Sequence, residues 1–236
     1  MKFRSVFMTL SCAFALAACG GQDGSASVQA GSAAAEVPSG SVKVQTAHGE
    51  AVVPQNPERV AVYDLGAVDT LSKLGVKIGA SVDAQRLAYL DAPLKDAVKA
   101  GTLFEPNYEA LNAYNPQLIV IGSRMAKDKV SSELAKLAPT IDMTAQTDNM
   151  KESAKARIDA YAKIFGKQAE GDALKAEIDK TFADAKAAAQ GKGKGLVILV
   201  NAGKLSAFGP DSRLGGWIHR DIGVPAADEA IKEGSH

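Results

Sequence analysis

Short apolar runs alternate with amphipathic stretches through the first half of this chain. The runs at 42–47 and 51–53 flank a Gly-containing turn and predict a β-hairpin. Further apolar runs predict buried strands, and the stretches between them predict helices. The predicted strands are 59–63, 77–81, 118–122 and 140–143, and the predicted helices are 64–74, 107–112 and 129–137. This alternation predicts an α/β lobe with a mainly parallel sheet over residues 42–148.

A longer amphipathic stretch follows this lobe. Its apolar positions, Ala154, Ile158, Tyr161 and Phe165, recur at three- and four-residue steps. This spacing is typical of the buried stripe of a helix, so we predict a linking helix over 149–166. A helical connection between two lobes is expected to limit hinge bending between them.

The last part of the chain predicts a second α/β lobe over residues 167–236. A helical stretch at 169–189 precedes an apolar strand at 196–200, and a further helix is predicted at 213–221. One strand of the parallel type cannot form a sheet that is shielded on both faces, so we expect this lobe to be truncated. The predicted fold class is α/β, with two Rossmann-like lobes joined by a long linking α-helix.

The first 18 residues have the pattern of a secretory signal. Basic Lys2 and Arg4 precede an apolar segment at 6–16, which is shorter than the roughly 20 residues that span a bilayer. The run Leu-Ala-Ala-Cys that ends at Cys19 resembles a bacterial lipobox, which implies cleavage before Cys19 and lipidation of its sulfur and amine. The alternative is an ordinary signal whose cleavage site abuts a cysteine.

Residues 19–41 predict a flexible, lipidated tether, because they are rich in Gly, Ser, Ala and Gln and contain few large apolar groups. Removal of the signal takes Cys12 with it and leaves Cys19 as the sole thiol, so no internal disulfide can form. The whole chain has 27 basic and 27 acidic residues, and loss of Lys2 and Arg4 gives a net charge of −2. Nothing in this balance indicates a nucleic acid or an anionic membrane surface as a partner.

Candidate chemistry lies where predicted strands end, because ligands of parallel sheets bind outside the carboxyl ends of the strands. Tyr63 and Arg124 follow two buried strands, and Arg213 occupies a comparable loop of the second lobe. Fixed guanidinium groups suit a multidentate anion. Each residue also has a structural interpretation: Tyr63 as core packing, Arg124 as a solvated or paired surface residue, and Arg213 as the partner of Asp211.

Four local runs, at 57–63, 106–111, 115–122 and 206–213, occur in an order that resembles one known family. This is the iron-siderophore and vitamin B12 family of ABC-transporter substrate-binding proteins, and the likeness is closest to its catecholate-siderophore branch. The resemblance extends from about residue 42 to the end of the chain. It implies a monomeric, lipid-anchored receptor of the cell envelope or periplasm that is not an enzyme, has no intrinsic cofactor, and passes a ferric siderophore to an inner-membrane ABC permease.

The resemblance also implies roles for individual residues. The cleft arginines of the catecholate branch match Arg124 and Arg213. A histidine that ligates iron when a siderophore leaves coordination sites open matches His236. The family docks its transporter through an exposed acidic residue on each lobe, and Glu109 stands where the first-lobe residue is expected. A solvated glutamate in the first turn of a helix is the alternative for Glu109.

Other functions remain open at this point. Haem or cobalamin are alternative cargoes within the same class, whereas three scattered histidines fit a bare-metal receptor poorly. An anchored envelope enzyme is another class, although the chain has no HExxH motif, no recognisable nucleophile–base pair and no phosphate-binding Gly loop. A purely structural lipoprotein would not explain basic residues in strand-end loops of both lobes.

Overall fold

A computed structural model describes residues 38–83, 87–123 and 125–233. The predicted signal, nearly all of the predicted tether with Cys19, and the candidate site residues Arg124 and His236 lie outside these ranges. Within the described part of the chain, no helix has both the length and the apolar run needed to cross a membrane.

The first lobe begins with the predicted hairpin. Strands β1 (Ser41–Thr46) and β2 (Gly49–Pro54) pair antiparallel, with Thr46 opposite Gly49. A five-stranded parallel sheet follows, and its strand order is β5-β4-β3-β6-β7. Its strands are β3 (Val60–Val62), β4 (Ala80–Ser81), β5 (Val98–Lys99), β6 (Leu118–Ile121) and β7 (Thr140–Asp142). The predicted parallel sheet is confirmed.

Short helices connect these strands. They are α1 (Leu65–Lys73), α2 (Asp91–Leu94), α3 (Tyr108–Tyr114) and α4 (Asp128–Ala135), with a short 3₁₀ turn at Ala88–Leu90. Three of the helices coincide with predicted ones, and Asn107 caps α3 as expected, because its side chain accepts a hydrogen bond from the backbone N–H of Ala110 at 3.0 Å. Strand β5 and helix α2 were not predicted, since two to four residues carry no readable periodicity.

The sheet is buried on both faces. Along β3 and β6, Val60, Val62, Leu118 and Val120 belong to one apolar cluster, and their alternating neighbours belong to a second cluster on the other face. All residues of these two strands are at most 1% exposed. Burial on both sides explains why the strands read as continuous apolar runs rather than as alternating patterns.

Two long helices follow the sheet, α5 (Met150–Phe165) and α6 (Gln168–Ala189). The predicted stripe of α5 is largely confirmed: Ile158, Tyr161 and Phe165 are buried, the last two in the first cluster, and Ala154 is half-buried. Gly166 ends α5 in the left-handed conformation at φ 63°. Helix α6 packs closely on α5. A Cβ added at Gly171 would lie only 2.8 Å from the Cβ of Ala162.

The segment after α6 differs from its prediction. The strand predicted at 196–200 is confirmed as β8 (Val197–Asn201), but within the described residues its partner is β9 (Lys204–Phe208), which runs antiparallel to it. The reason is the two-residue turn between them, where Ala202 and Gly203 both have positive φ, as tight hairpins require. Both faces of β8 are open to solvent, with Ile198 50% and Leu199 44% exposed.

The helix predicted at 213–221 is also wrong over its first half. Residues 213–215 form turns, and only a single π-helical turn, Trp217–Asp221, follows. Adjacent Gly215 and Gly216 lower helix propensity, and Gly215 packs directly on backbone, since a Cβ there would lie 2.2 Å from the carbonyl oxygen of Gly209.

Gly101 provides a test of the loop that joins β5 to α3. Its φ is 112°, and an added Cβ would lie 2.4 Å from the backbone oxygen of Glu105 and 2.6 Å from the backbone nitrogen of Asn107. We expect Gly101→Ala to lower the free energy of unfolding by about 2–4 kcal/mol, because backbone strain and overpacking add. Guanidinium denaturation followed by circular dichroism measures this loss.

Gly49→Ala is the matched control for this substitution. Gly49 also has positive φ, at 99°, but nothing lies within 4 Å of its added Cβ. We expect a loss of about 1 kcal/mol from strain alone. Equal losses in the two variants would contradict the steric contribution at Gly101.

Candidate functional site

The carboxyl ends of β3 and β6 open into a cavity of about 240 Å³, here called the strand-end cavity. As the sequence predicted, the segments after these two strands meet there. The cavity is lined by Tyr63, Asp64, Leu65, Gly66, Leu103, Gly122 and Ser123. Its volume is below the range of about 300–1,000 Å³ for whole small-molecule sites, so this lobe offers room for part of a larger ligand.

Tyr63 contributes packing to this cavity more than polar chemistry. Its side chain is 1% exposed, and its hydroxyl donates a hydrogen bond of 2.6 Å to the backbone oxygen of Ala100. Burial, with a smaller contribution from Tyr108, raises the pKa of the Tyr63 hydroxyl, which therefore stays neutral. The structural interpretation of Tyr63 agrees with these contacts, and its ligand-binding role stays a prediction.

Asp64 is the carboxylate in the described wall of the strand-end cavity, and sequence reasoning did not select it as a site residue. Its Oδ1 accepts the backbone N–H of Ala67 at 3.0 Å and so caps α1. Its Oδ2 accepts a hydrogen bond of 3.3 Å from Nη2 of Arg157 on α5. A Cβ at Gly122 would lie 2.1 Å from this Oδ2, so glycine is required there for the carboxylate to occupy its place.

Arg157 contacts Asp64 but does not line the strand-end cavity. The two side chains are 17% and 18% exposed, and the nearby Tyr161 is fully buried. Burial alone would lower the pKa of the Arg157 guanidinium, but Tyr161 and Asp64 favour the charged form, and the pKa is raised overall. Arg157 is therefore a permanent cation beside Asp64.

Arg213 lies in the turn that follows β9, and its side chain is exposed. No carboxylate of residues 38–83, 87–123 or 125–233 forms an ion pair with it, so the pairing with Asp211 considered from the sequence is absent. Two hydrogen bonds of the Ser212 hydroxyl stabilise this turn. The buried Ser212 hydroxyl donates to the backbone oxygen of Gly209 at 2.7 Å and accepts the backbone N–H of Gly215 at 2.9 Å.

The remaining candidates are distributed as follows. Glu109 is exposed in the first turn of α3. Arg124, His236 and Cys19 lie outside the described residues, so their roles stay predictions. The chain's one tryptophan, Trp217, is 42% exposed, close in sequence to Arg213.

Each histidine that the structure describes has a partner within the protein. Nε2 of His48 lies 2.9 Å from Oδ2 of Asp142, and Nδ1 of His219 donates to the backbone oxygen of Val224 at 2.8 Å. The described part of the chain contains no group of three or more His, Cys, Asp or Glu side chains that could hold a metal ion.

Comparison with known proteins finds relatives that this chain matches over part of their length. The petrobactin-binding protein YclQ of Bacillus subtilis is 37% identical over 239 residues, which cover 100% of this chain and 73% of YclQ. The ferric-anguibactin-binding protein FatB of Vibrio anguillarum is 31% identical over 195 residues, which cover 80% of this chain and 60% of FatB.

Solved structures give the same relationship. The crystal structure of YclQ superposes with a TM-score of 0.75 over 83% of this chain and 72% of YclQ, at 34% identity. The periplasmic catecholate-siderophore binding protein VctP of Vibrio cholerae gives a TM-score of 0.74 over 83% of this chain and 71% of VctP, at 30% identity. The mixed α/β fold with its parallel sheet is thus the fold of these binding proteins.

The family model described as periplasmic binding protein matches residues 60–236, which include the parallel sheet, α5 and the segment with Arg213. The resemblance inferred from the sequence motifs is thereby confirmed, and this chain belongs to the periplasmic binding protein family.

Proposed function

We propose that this chain is an envelope receptor that captures an anionic ferric siderophore of the catecholate type and delivers it to an ABC importer. The observation that carries the proposal is the similarity along the whole chain to YclQ, whose name gives petrobactin as its ligand. The name of VctP gives catecholate siderophores. The relatives are binding proteins, and we propose that this chain likewise has no enzymatic activity.

The charges of the described residues suit such a cargo. A ferric tris(catecholate) carries three negative charges, and a close pair of opposite charges is worth about 4 kcal/mol at an effective dielectric near 20, before desolvation. Arg213 is exposed and has no carboxylate partner in the described ranges, so its guanidinium is free to donate to an anion. In this proposal Arg124 supplies a second cation, Tyr63 packs in the wall, and His236 is a candidate ligand for incompletely chelated iron.

The proposal includes the organisation of the chain. Residues 1–18 are a signal peptide, 19–41 a tether lipidated at Cys19, 42–148 the first lobe, 149–166 the linking helix, and 167–236 second-lobe sequence. The receptor acts as a monomer, and Glu109 contacts the permease. The exposure of Glu109 on α3 supports this role, because a docking carboxylate must be accessible to its partner.

Replacement of Arg213 tests the charge argument. We expect Arg213→Ala to weaken binding of ferric tris(catecholate) about tenfold or more, since each tenfold loss corresponds to about 1.4 kcal/mol. Fluorescence of Trp217 in the signal-free protein gives the Kd. Arg220→Ala is the matched control, because Arg220 lies in the same segment but its Nε is 3.6 Å from a carboxylate oxygen of Asp221.

Two results would count against the proposal. An equal loss of affinity in Arg213→Ala for a neutral ferric tris(hydroxamate) would contradict the charge argument. No response of the unaltered protein to any ferric complex at micromolar concentration would overturn the proposed function.

Charge reversal at Glu109 tests the docking role. We expect Glu109→Lys to leave the Kd for the ferric complex unchanged and to reduce cellular uptake of ⁵⁵Fe several-fold, because the permease loses an ionic contact. Glu177→Lys, the same change at an exposed residue of α6, is the control and should retain uptake. Normal uptake by Glu109→Lys would exclude this contact.

Substitution of the cysteines tests the anchor. We expect Cys19→Ser to lose incorporation of labelled palmitate and to move from the membrane fraction to the soluble fraction. Cys12→Ser should keep both properties, because Cys12 lies within the segment that is removed. Membrane association that survives Cys19→Ser would refute lipidation at this residue.

A further inference from the structure

The strand-end cavity contains a negative charge where the proposed ligand is also negative. Asp64 lines this cavity at the end of β3, and its side chain is 18% exposed. A carboxylate in the wall of a small cavity repels an anion unless its charge is compensated within the protein. A receptor for anions that uses this cavity therefore needs a cation close to Asp64.

Arg157 is such a cation. Its Nη2 lies 3.3 Å from Oδ2 of Asp64, and Oδ1 is bonded to the backbone N–H of Ala67 at the positive end of α1. Both carboxylate oxygens are thus bonded to groups of positive potential. Arg157 belongs to α5, 93 residues further along the chain, and reaches Asp64 without belonging to the lining of the cavity.

Two glycines leave room for the Asp64 carboxylate. A Cβ at Gly122 would lie 2.1 Å from Oδ2 of Asp64, and a Cβ at Gly66 would lie 3.1 Å from Oδ1 and 3.7 Å from Nη2 of Arg157. Glycine at 122 is therefore required for the carboxylate to occupy its place, and a side chain at 66 would crowd its other oxygen, whereas the contact with the guanidinium would be an ordinary one. Partial burial of both side chains keeps their interaction less screened by solvent than that of a surface pair.

We propose that Arg157 is a positioning and specificity-determining residue for anion capture: it neutralises Asp64 and holds its carboxylate in the cavity wall, so that the cavity accepts an anionic ligand. This inference rests on the proposed function. Arg157 acts through Asp64 and does not contact the ligand. A purely structural ion pair would instead only hold α5 on the sheet.

Removal of the cation separates these two roles. We expect Arg157→Gln to weaken binding of ferric tris(catecholate), with three negative charges, about tenfold, and binding of ferric bis(catecholate), with one, no more than about threefold. The unpaired Asp64 carboxylate causes the difference, so Asp64→Asn in the Arg157→Gln background should recover most of the lost affinity. Asp64→Asn alone removes the negative charge from the cavity wall and leaves the Arg157 cation, so it should bind the tris complex more tightly than the unaltered protein, and asparagine can still cap α1.

Each outcome of this experiment either supports or overturns the inference about Arg157. Equal losses for the two complexes in Arg157→Gln, with no recovery on adding Asp64→Asn, would overturn the inference in favour of a structural role. Unchanged affinity in Arg157→Gln would overturn it as well, while binding by the unaltered protein would leave the proposed function standing. Arg157→Lys keeps the charge and should retain most of the affinity, and circular dichroism establishes that each variant is folded. If the unaltered protein binds neither complex, the proposed function and this inference fail together.

Discussion

Burial of β3 and β6 on both faces is the constraint on which the rest of this structure depends. Helices and a hairpin cover the two strands, so solvent reaches them only at their ends. The residues that follow them, Tyr63–Asp64 and Gly122–Ser123, must leave the apolar layer together and form one cavity. The proposed ligand chemistry of this lobe lies at that edge, because polar groups elsewhere on the buried strands would lose water without gaining partners.

The charges of this protein matter through their individual positions rather than through their sum. The whole chain has equal numbers of acidic and basic residues, so its overall field does not favour an anion. In the proposed function, selectivity for a ferric siderophore comes from individually placed groups. These are the exposed guanidinium of Arg213 and the Asp64 carboxylate, which is paired with Arg157. A neutral protein surface with local cations fits a receptor that must bind its cargo and later release it.

The predictions from sequence succeeded and failed for identifiable reasons. The hairpin, the parallel sheet and α5 were predicted correctly, because long periodic or wholly apolar segments carry a strong signal. The segment after α6 was predicted poorly. The run at 196–200 resembles a buried parallel strand, but the Ala202–Gly203 turn folds it into an antiparallel hairpin with exposed apolar side chains.

By itself, the sequence determined which segments of the first lobe are buried, that strands and helices alternate there, and that arginines occur in strand-end loops, because these features follow from local periodicity and residue type. Four ordered motifs were also enough to indicate the family. Only the tertiary structure decided the strand order, the hydroxyl partner of Tyr63 and the pairing of Asp64 with Arg157. The last contact joins residues 93 positions apart, and no local pattern encodes such a pair, since it exists only after the sheet and α5 have packed together.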